Sequence, residues 1–144
     1  MDSPDRPLFG DVLALARERW VREMARRLAA RGFNEYRRSD AFALRFLAGG
    51  PRALGEFAVP FGASRQAARK MVTGLIQRGY ASLETDPKDA RRRRVQLTKA
   101  GRDYAKAVIQ TIDALNRELA RKVDPSDLAT AKSVLTLVKN AFAP

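Results

Sequence analysis

Glycine and proline punctuation constrains this chain most. Gly49-Gly50-Pro51, Pro60, Gly62 and Gly79 cut its middle into pieces too short for anything but brief elements. The piece from about Arg65 to Arg78 places Ala68, Met71, Val72, Leu75 and Ile76 on one helical face. Ser64 suits its N-cap and Gly79 its stop. A short helix is expected before it, about Arg52 to Val59, with Leu54 and Phe57 inward. Pro60 cannot continue that helix's hydrogen-bond ladder, and Gly62-Ala63 reads as a tight turn. After Gly79, Ala81 to Thr85 and Arg93 to Leu97 read as a two-stranded hairpin around a polar loop, Asp86 to Arg92.

Longer helices flank this middle. From about Leu8 to Arg31 one stripe runs Phe9, Leu13, Ala16, Trp20, Met24, Leu28, and a second apolar group, Leu8, Val12 and Leu15, starts on a neighbouring face. Gly32 is its stop. Ser39 precedes a nearly all-apolar helix, about Asp40 to Ala48, with Phe42, Leu44, Phe46 and Leu47. Thr98 caps a helix from about Lys99 to Lys122 with the stripe Tyr104, Val108, Ile112, Leu115, Leu119. Asp124-Pro125 reads as an N-cap followed by a first-turn proline. The last helix carries Leu128, Ala131, Leu135, Val138 and Phe142, a heptad-like seam. Either the chain's own core or a second copy could cover that seam; two long end helices with little else to cover them favour the second copy. Trp20, Phe42, Phe46 and Tyr104 are expected in the core, with a ligand pocket as the alternative.

The 144 residues suit one domain. Lys and Arg total 28 against 16 Asp and Glu, a net charge of +12, and 21 of the cations are arginine. From Arg52 to Arg102 there are 12 basic and 4 acidic residues, so 12 − 4 gives +8 within about a third of the chain. Such a surface attracts polyanions. A GC-rich genome would also raise arginine, but it explains the clustering less well. Cysteine and histidine are both absent. Their absence removes disulfides, thiol switches, structural zinc and Cys- or His-based nucleophiles. No cofactor, metal site or catalytic residue is expected: there is no EF-hand spacing, no persuasive carboxylate pair and no phosphate-binding glycine loop. No apolar run approaches the ~18 residues of a membrane span. The opening Met1-Asp2-Ser3-Pro4-Asp5 lacks the features of a secretory signal. The expectation is a cytoplasmic protein with no membrane partner.

A short helix, a glycine turn, a second helix and a hairpin follow one another in the order of a winged helix-turn-helix. The expected fold is mostly α with a small β-hairpin wing, its DNA-binding core (39–102) flanked by dimerisation helices at both ends (8–35 and 103–142). A helix fits the B-DNA major groove, where every base pair shows a distinct donor and acceptor pattern. Arg65, Gln66, Arg69, Lys70 and Thr73 lie opposite the apolar face, with Arg65 and Arg69 one turn apart. Arginine pairs with guanine and glutamine with adenine there. The helix N-terminus at Ser64 favours a phosphate. Lys88, Asp89, Arg91, Arg92 and Arg93 belong to the wing, whose tip suits a narrow, electronegative minor groove. Asp89 either orients Arg91 or simply makes the turn. The bland reading of these cations is a solvated face that binds nothing specific.

Asp89-Ala90-Arg91, then Leu97-Thr98 and Gly101, resembles the D-x-R…L-T-x-x-G wing signature of MarR-family regulators. Ser64-Arg65-Gln66-Ala67 and Leu75-Ile76-Gln77-Arg78-Gly79-Tyr80 resemble the two ends of that family's recognition helix. The likeness covers about Leu8 to Phe142. It implies a homodimeric transcriptional regulator, usually a repressor, that binds double-stranded pseudo-palindromic DNA. It also implies release by a small molecule bound between the dimer and DNA-binding regions. Dimer contacts are then expected from Leu8, Val12, Leu115, Leu119, Leu128, Leu135, Val138 and Phe142. The chain departs from the pattern at Gly55 and Pro60, which make the first helix of the pair weak by propensity. The competing class is a nonspecific or architectural nucleic-acid binder, for which +12 alone would suffice.

Overall fold

The computed structural model describes residues 5–62 and 64–143, without the side chains of Val59 and Phe61. Six α-helices and three strands follow one another: α1 (Phe9–Ala29), α2 (Asp40–Ala48), β1 (Arg52–Ala53), a 3-10 turn (Leu54–Phe57), α3 (Ala58–Phe61), α4 (Arg65–Gln77), β2 (Ala81–Asp86), β3 (Asp89–Leu97), α5 (Lys99–Lys122) and α6 (Pro125–Ala141).

Around the centre, Met24 and Leu28 of α1, Leu44 and Leu47 of α2, Phe57, Val72 and Leu75 of α4, Val95 of β3 and Tyr104 and Val108 of α5 close into one core. Each fully buried large side chain contributes roughly 1.5–3 kcal/mol. α1 is held to α5 by polar contacts as well. Arg27 donates two 2.8 Å bonds to the Glu118 carboxylate, and Arg31 reaches Gln110 at 2.8 Å.

Three expectations need correction. The region 52–59 is not one helix. Arg52 and Ala53 pair with Val95 and Arg94 instead, making a three-stranded sheet in the order β1-β3-β2. A 3-10 turn and the one-turn α3 follow. Pro60 falls inside α3, where its missing N–H is one of the donors a first turn leaves unpaired anyway. Gly55 weakens an α-helix here, and β3 offers a free edge, so the sheet captures the segment's start. Ala63 of the expected tight turn lies outside the described residues, while Gly62 takes the left-handed φ of 57° that a turn asks of glycine.

The wing loop is also shorter than expected. β2 and β3 run on to a two-residue turn, Pro87-Lys88, with Asp86 opposite Asp89. Asp86 Oδ1 accepts from the Lys88 N–H at 2.9 Å, a side chain completing a tight turn.

The third correction concerns the ends. The stripe on α1 is buried only at Met24 and Leu28. Phe9 is 56% exposed and Trp20, expected in the core, 38%. Nothing in α6 is buried. Leu115, expected at a dimer seam, is 8% exposed and belongs to the chain's own core, because α5 turns that face toward the body.

Candidate nucleic-acid interface

Two elements hold the residues expected to meet DNA. On α4, Ala68, Val72 and Leu75 are buried, and Met71 and Ile76 are half-buried. Helical periodicity then turns Arg65, Gln66, Arg69, Lys70 and Thr73 outward, and all five are exposed. Gln77 falls on the same face and is exposed too. It extends the row Gln66, Lys70, Thr73 by one more helical step, so the helical period alone could have found it.

Both ends of α4 are fixed by caps. Ser64 Oγ accepts from the Ala67 N–H at 3.1 Å. At the other end the Tyr80 N–H reaches the Leu75 carbonyl at 2.9 Å and the Gly79 N–H the Ile76 carbonyl at 2.9 Å. This double closure needs a left-handed residue, and Gly79 supplies it with φ 81°.

The wing is set by β3. Pairing runs in register from Ala81↔Leu97 to Thr85↔Arg93 and then jumps to Asp86↔Asp89. Ala90, Arg91 and Arg92 therefore stand in a bulge without cross-strand partners. Bulges re-aim side chains, and here the re-aimed residues include two of the expected wing arginines. They lie along the strand behind the turn; the tip itself holds Lys88. Asp89 braces the bulge: its Oδ1 accepts from the Arg91 backbone N–H at 3.0 Å. Asp89 thus orders the backbone of Arg91 and leaves the guanidinium free.

The cations divide into two groups. Arg52 lies over the Phe46 ring at 4.7 Å, Arg94 donates to Glu84 at 2.7 Å, and Arg78 is buried. Among the described residues, no hydrogen bond or ion pair engages the side chains of Arg65, Arg69, Lys70, Lys88, Arg91, Arg92 or Arg93, all of them exposed. Between Arg52 and Arg102 the cations that the fold leaves unused are those the sequence assigned to DNA.

Thr98 and Gly101 tie the wing to α5. The Thr98 hydroxyl donates to the Gly79 carbonyl at 2.6 Å and accepts from the Gly101 N–H at 3.0 Å. A Cβ on Gly101 would overlap the Tyr80 carbonyl, so only glycine lets α5 start this close to the end of α4.

The sequence did not reveal the buried polar group behind α4. Asp40, fully buried, receives two 2.7 Å bonds from Arg78, a 2.8 Å bond from the Tyr104 hydroxyl and a 3.0 Å bond from the Arg37 N–H. Burial, with Asp40 beside it, pushes the Tyr104 phenol far above its ordinary range, so it stays a donor. The Asp40 hydrogen bonds also raise the Arg78 guanidinium above its ordinary value.

A cavity of about 610 Å³ lies between α2, β3 and α5. Leu47, Leu97, Ala105 and Ile109 give it apolar walls, and Arg102 and Lys106 bring positive charge to it. Among the described residues there is no acidic, His or Cys cluster fit for a metal, and no helix long and apolar enough to cross a membrane.

No protein-family model matches the sequence, and no curated protein matches it. Solved structures do. The Staphylococcus aureus MepR–DNA complex superposes with a TM-score of 0.79 at 13% identity, over 95% of this chain and 100% of that one. The PcaV transcriptional regulator of Streptomyces coelicolor, in complex with its natural ligand, gives 0.79 at 17% identity over 98% and 99%. A mutant MarR of E. coli complexed with operator DNA gives 0.72 at 18% over 90% and 91%.

The chain has the MarR-type winged-helix fold. In this fold α4 stands as the second helix of the helix-turn-helix, and β2 and β3 form the wing. The bulge of β3 and the 3-10 turn before α3 are how this sequence builds them.

Proposed function

We propose that the protein is a sequence-specific DNA-binding transcriptional regulator acting as a homodimer, with α4 in the major groove and the wing in the adjacent minor groove. One observation carries this reading most: the basic row of α4 and the bulged arginines of β3 are exposed and unpaired, while the other arginines of the same stretch that pack or pair serve the fold. Arg65, Gln66, Arg69, Lys70 and Thr73, with Gln77, face the base edges. Ser64 sits at the helix N-terminus beside a phosphate. Lys88, Arg91, Arg92 and Arg93 meet the backbone and minor groove, and Asp89 holds Arg91 in place. The DNA complexes among the structural neighbours support the same assignment.

The second copy covers the ends. Leu8, Val12, Leu119, Leu128, Leu135, Val138 and Phe142 keep their assignment to the seam, and the exposed Phe9, Leu13 and Trp20 join them. Residues 39–102 read DNA, and 8–35 and 103–142 pair the copies. Two-fold symmetry then sets half-sites about one helical turn apart. The role is that of a repressor. The cavity between α2, β3 and α5 holds a small effector, since it lies where the pairing helices meet the reading region.

Competition tests the reading. Duplexes selected by the purified protein from a randomised pool should displace scrambled duplexes at moderate salt by ~10³-fold or more. Equal affinity for both makes the protein a nonspecific or architectural binder and ends the proposal.

A further inference from the structure

The DNA contacts and the cavity leave one buried charged group unused. The Asp40 side chain is 0% exposed and the Arg78 side chain 7%. Buried ion pairs are a poor source of stability, because desolvation cancels much of the attraction and a packed apolar pair often does as well. What they fix well is geometry, and here three helices are fixed at once. Asp40 opens α2, Arg78 caps α4, and Tyr104 stands in the second turn of α5. Arg78 also donates to the Gly74 carbonyl of α4 at 3.1 Å and to the Glu35 carbonyl at 3.0 Å. Four of its five N–H groups are engaged, so α4 can neither rotate nor tilt at this end without breaking bonds on several partners.

We infer that Arg78, Asp40 and Tyr104 form a clamp that sets the tilt of α4 against α5, and are thereby positioning residues for the half-site spacing the protein accepts. The inference rests on the DNA reading proposed above. α5 leads into the paired ends, and α4 carries the base-reading face. The angle between them therefore decides how far apart two copies hold their reading helices. α4 is roughly 20 Å long at 1.5 Å per residue, so a tilt of ~10° about the clamp moves the Ser64 end by ~3.5 Å. That is about the rise of one base pair along a strand. A clamp loosened by this much would accept a neighbouring spacing.

Tyr104→Phe isolates the link to α5. It removes one hydroxyl and keeps the ring, which lies 4.4 Å from Tyr80 and 5.0 Å from Phe33. The Asp40 Oδ2 still accepts from Arg78 and Arg37. Arg78→Lys keeps the charge and removes the fork. Each full-length variant and the wild type would be run through selection from one fully randomised duplex pool, with thermal midpoints measured in parallel. The wild-type pool should show a single centre-to-centre half-site distance. The variants should enrich the same half-site but spread it over spacings at least one base pair apart, and bind the wild-type spacing several-fold more weakly. Lower stability alone would weaken binding to every spacing equally. A sharp wild-type spacing kept by Tyr104→Phe overturns the inference while leaving the DNA reading intact, even if Arg78→Lys does not fold. A wild-type pool with no enriched half-site overturns both.

Discussion

The middle of the molecule and its two ends obey opposite rules. Between Asp40 and Val108 one chain finishes its own packing. Phe57 and Tyr104 are 0% exposed, the N-caps of α4 and α5 are satisfied, and even a buried carboxylate accepts four hydrogen bonds. At the ends the same residue types stand in solvent. Phe142 is 83% exposed, Leu137 68% and Leu8 65%, on or at the ends of α1 and α6. Apolar helix sides left bare by one chain are what the proposed second copy would cover. The unpaired cations of α4 and the wing sit on this self-sufficient middle, so the function proposed above separates two requirements: a middle that reads and ends that bring a second reader alongside.

The sharpest way to break this comparison is to spoil one end. Leu135→Glu keeps helix propensity and places a charge on the bare seam of α6. It should leave each chain folded but single, and cost ~10²–10⁴-fold in affinity for a two-site duplex as the second reader is lost. Sedimentation and titration on the same samples check it; a variant that stays paired and binds normally would clear α6 of the role. The opposite lesion is Gly101→Ala. The added methyl meets the Tyr80 backbone, which cannot yield like a side-chain tip. A loss of about 3 kcal/mol is expected in chemical denaturation, with the oligomeric state unchanged among folded molecules.

Smaller changes sharpen the account of the reader. Arg69→Ala should cost ~1–3 kcal/mol on selected DNA and little on scrambled DNA. Equal losses on both would make Arg69 a phosphate contact. Arg91→Ala should flatten the slope of log K against log salt by about one; an unchanged slope removes Arg91 from the interface. The smallest effect belongs to the α1 surface. Arg26 and Arg27 hold the Glu23 carboxyl down at about 2, against an ordinary value of 4.5. A carboxylate with a lowered folded value adds stability above its unfolded value and loses it as the pH falls through the folded one. Glu23→Gln should therefore remove a small stabilisation present above pH 4.5 and lost between there and about 2. Matching acid unfolding curves for the two proteins would dismiss the pair as a contributor.

Local signals made much of this legible. Ser64, Gly79, Thr98 and the Asp124-Pro125 step mark element ends by their own chemistry, and the row Arg65, Gln66, Arg69, Lys70, Thr73 follows from helical period alone. What was hidden depends on distant partners. β1 is two residues long, too short to show alternation, and exists only because β3 passes beside it. A run of four arginines carries no pattern that could announce a bulge, so Arg91 and Arg92 read as loop. Asp40 and Arg78 lie 38 residues apart with no shared period, so nothing local announces that they pair. Trp20 fell on a regular stripe, but a stripe does not say which chain will cover it.

The mass of the complex puts the central claim to the most direct test. Native mass spectrometry of the full chain on one selected duplex should give two chains per duplex, assembled without a populated one-chain complex. A saturated complex holding a single chain, with every base preference intact, would contradict the account.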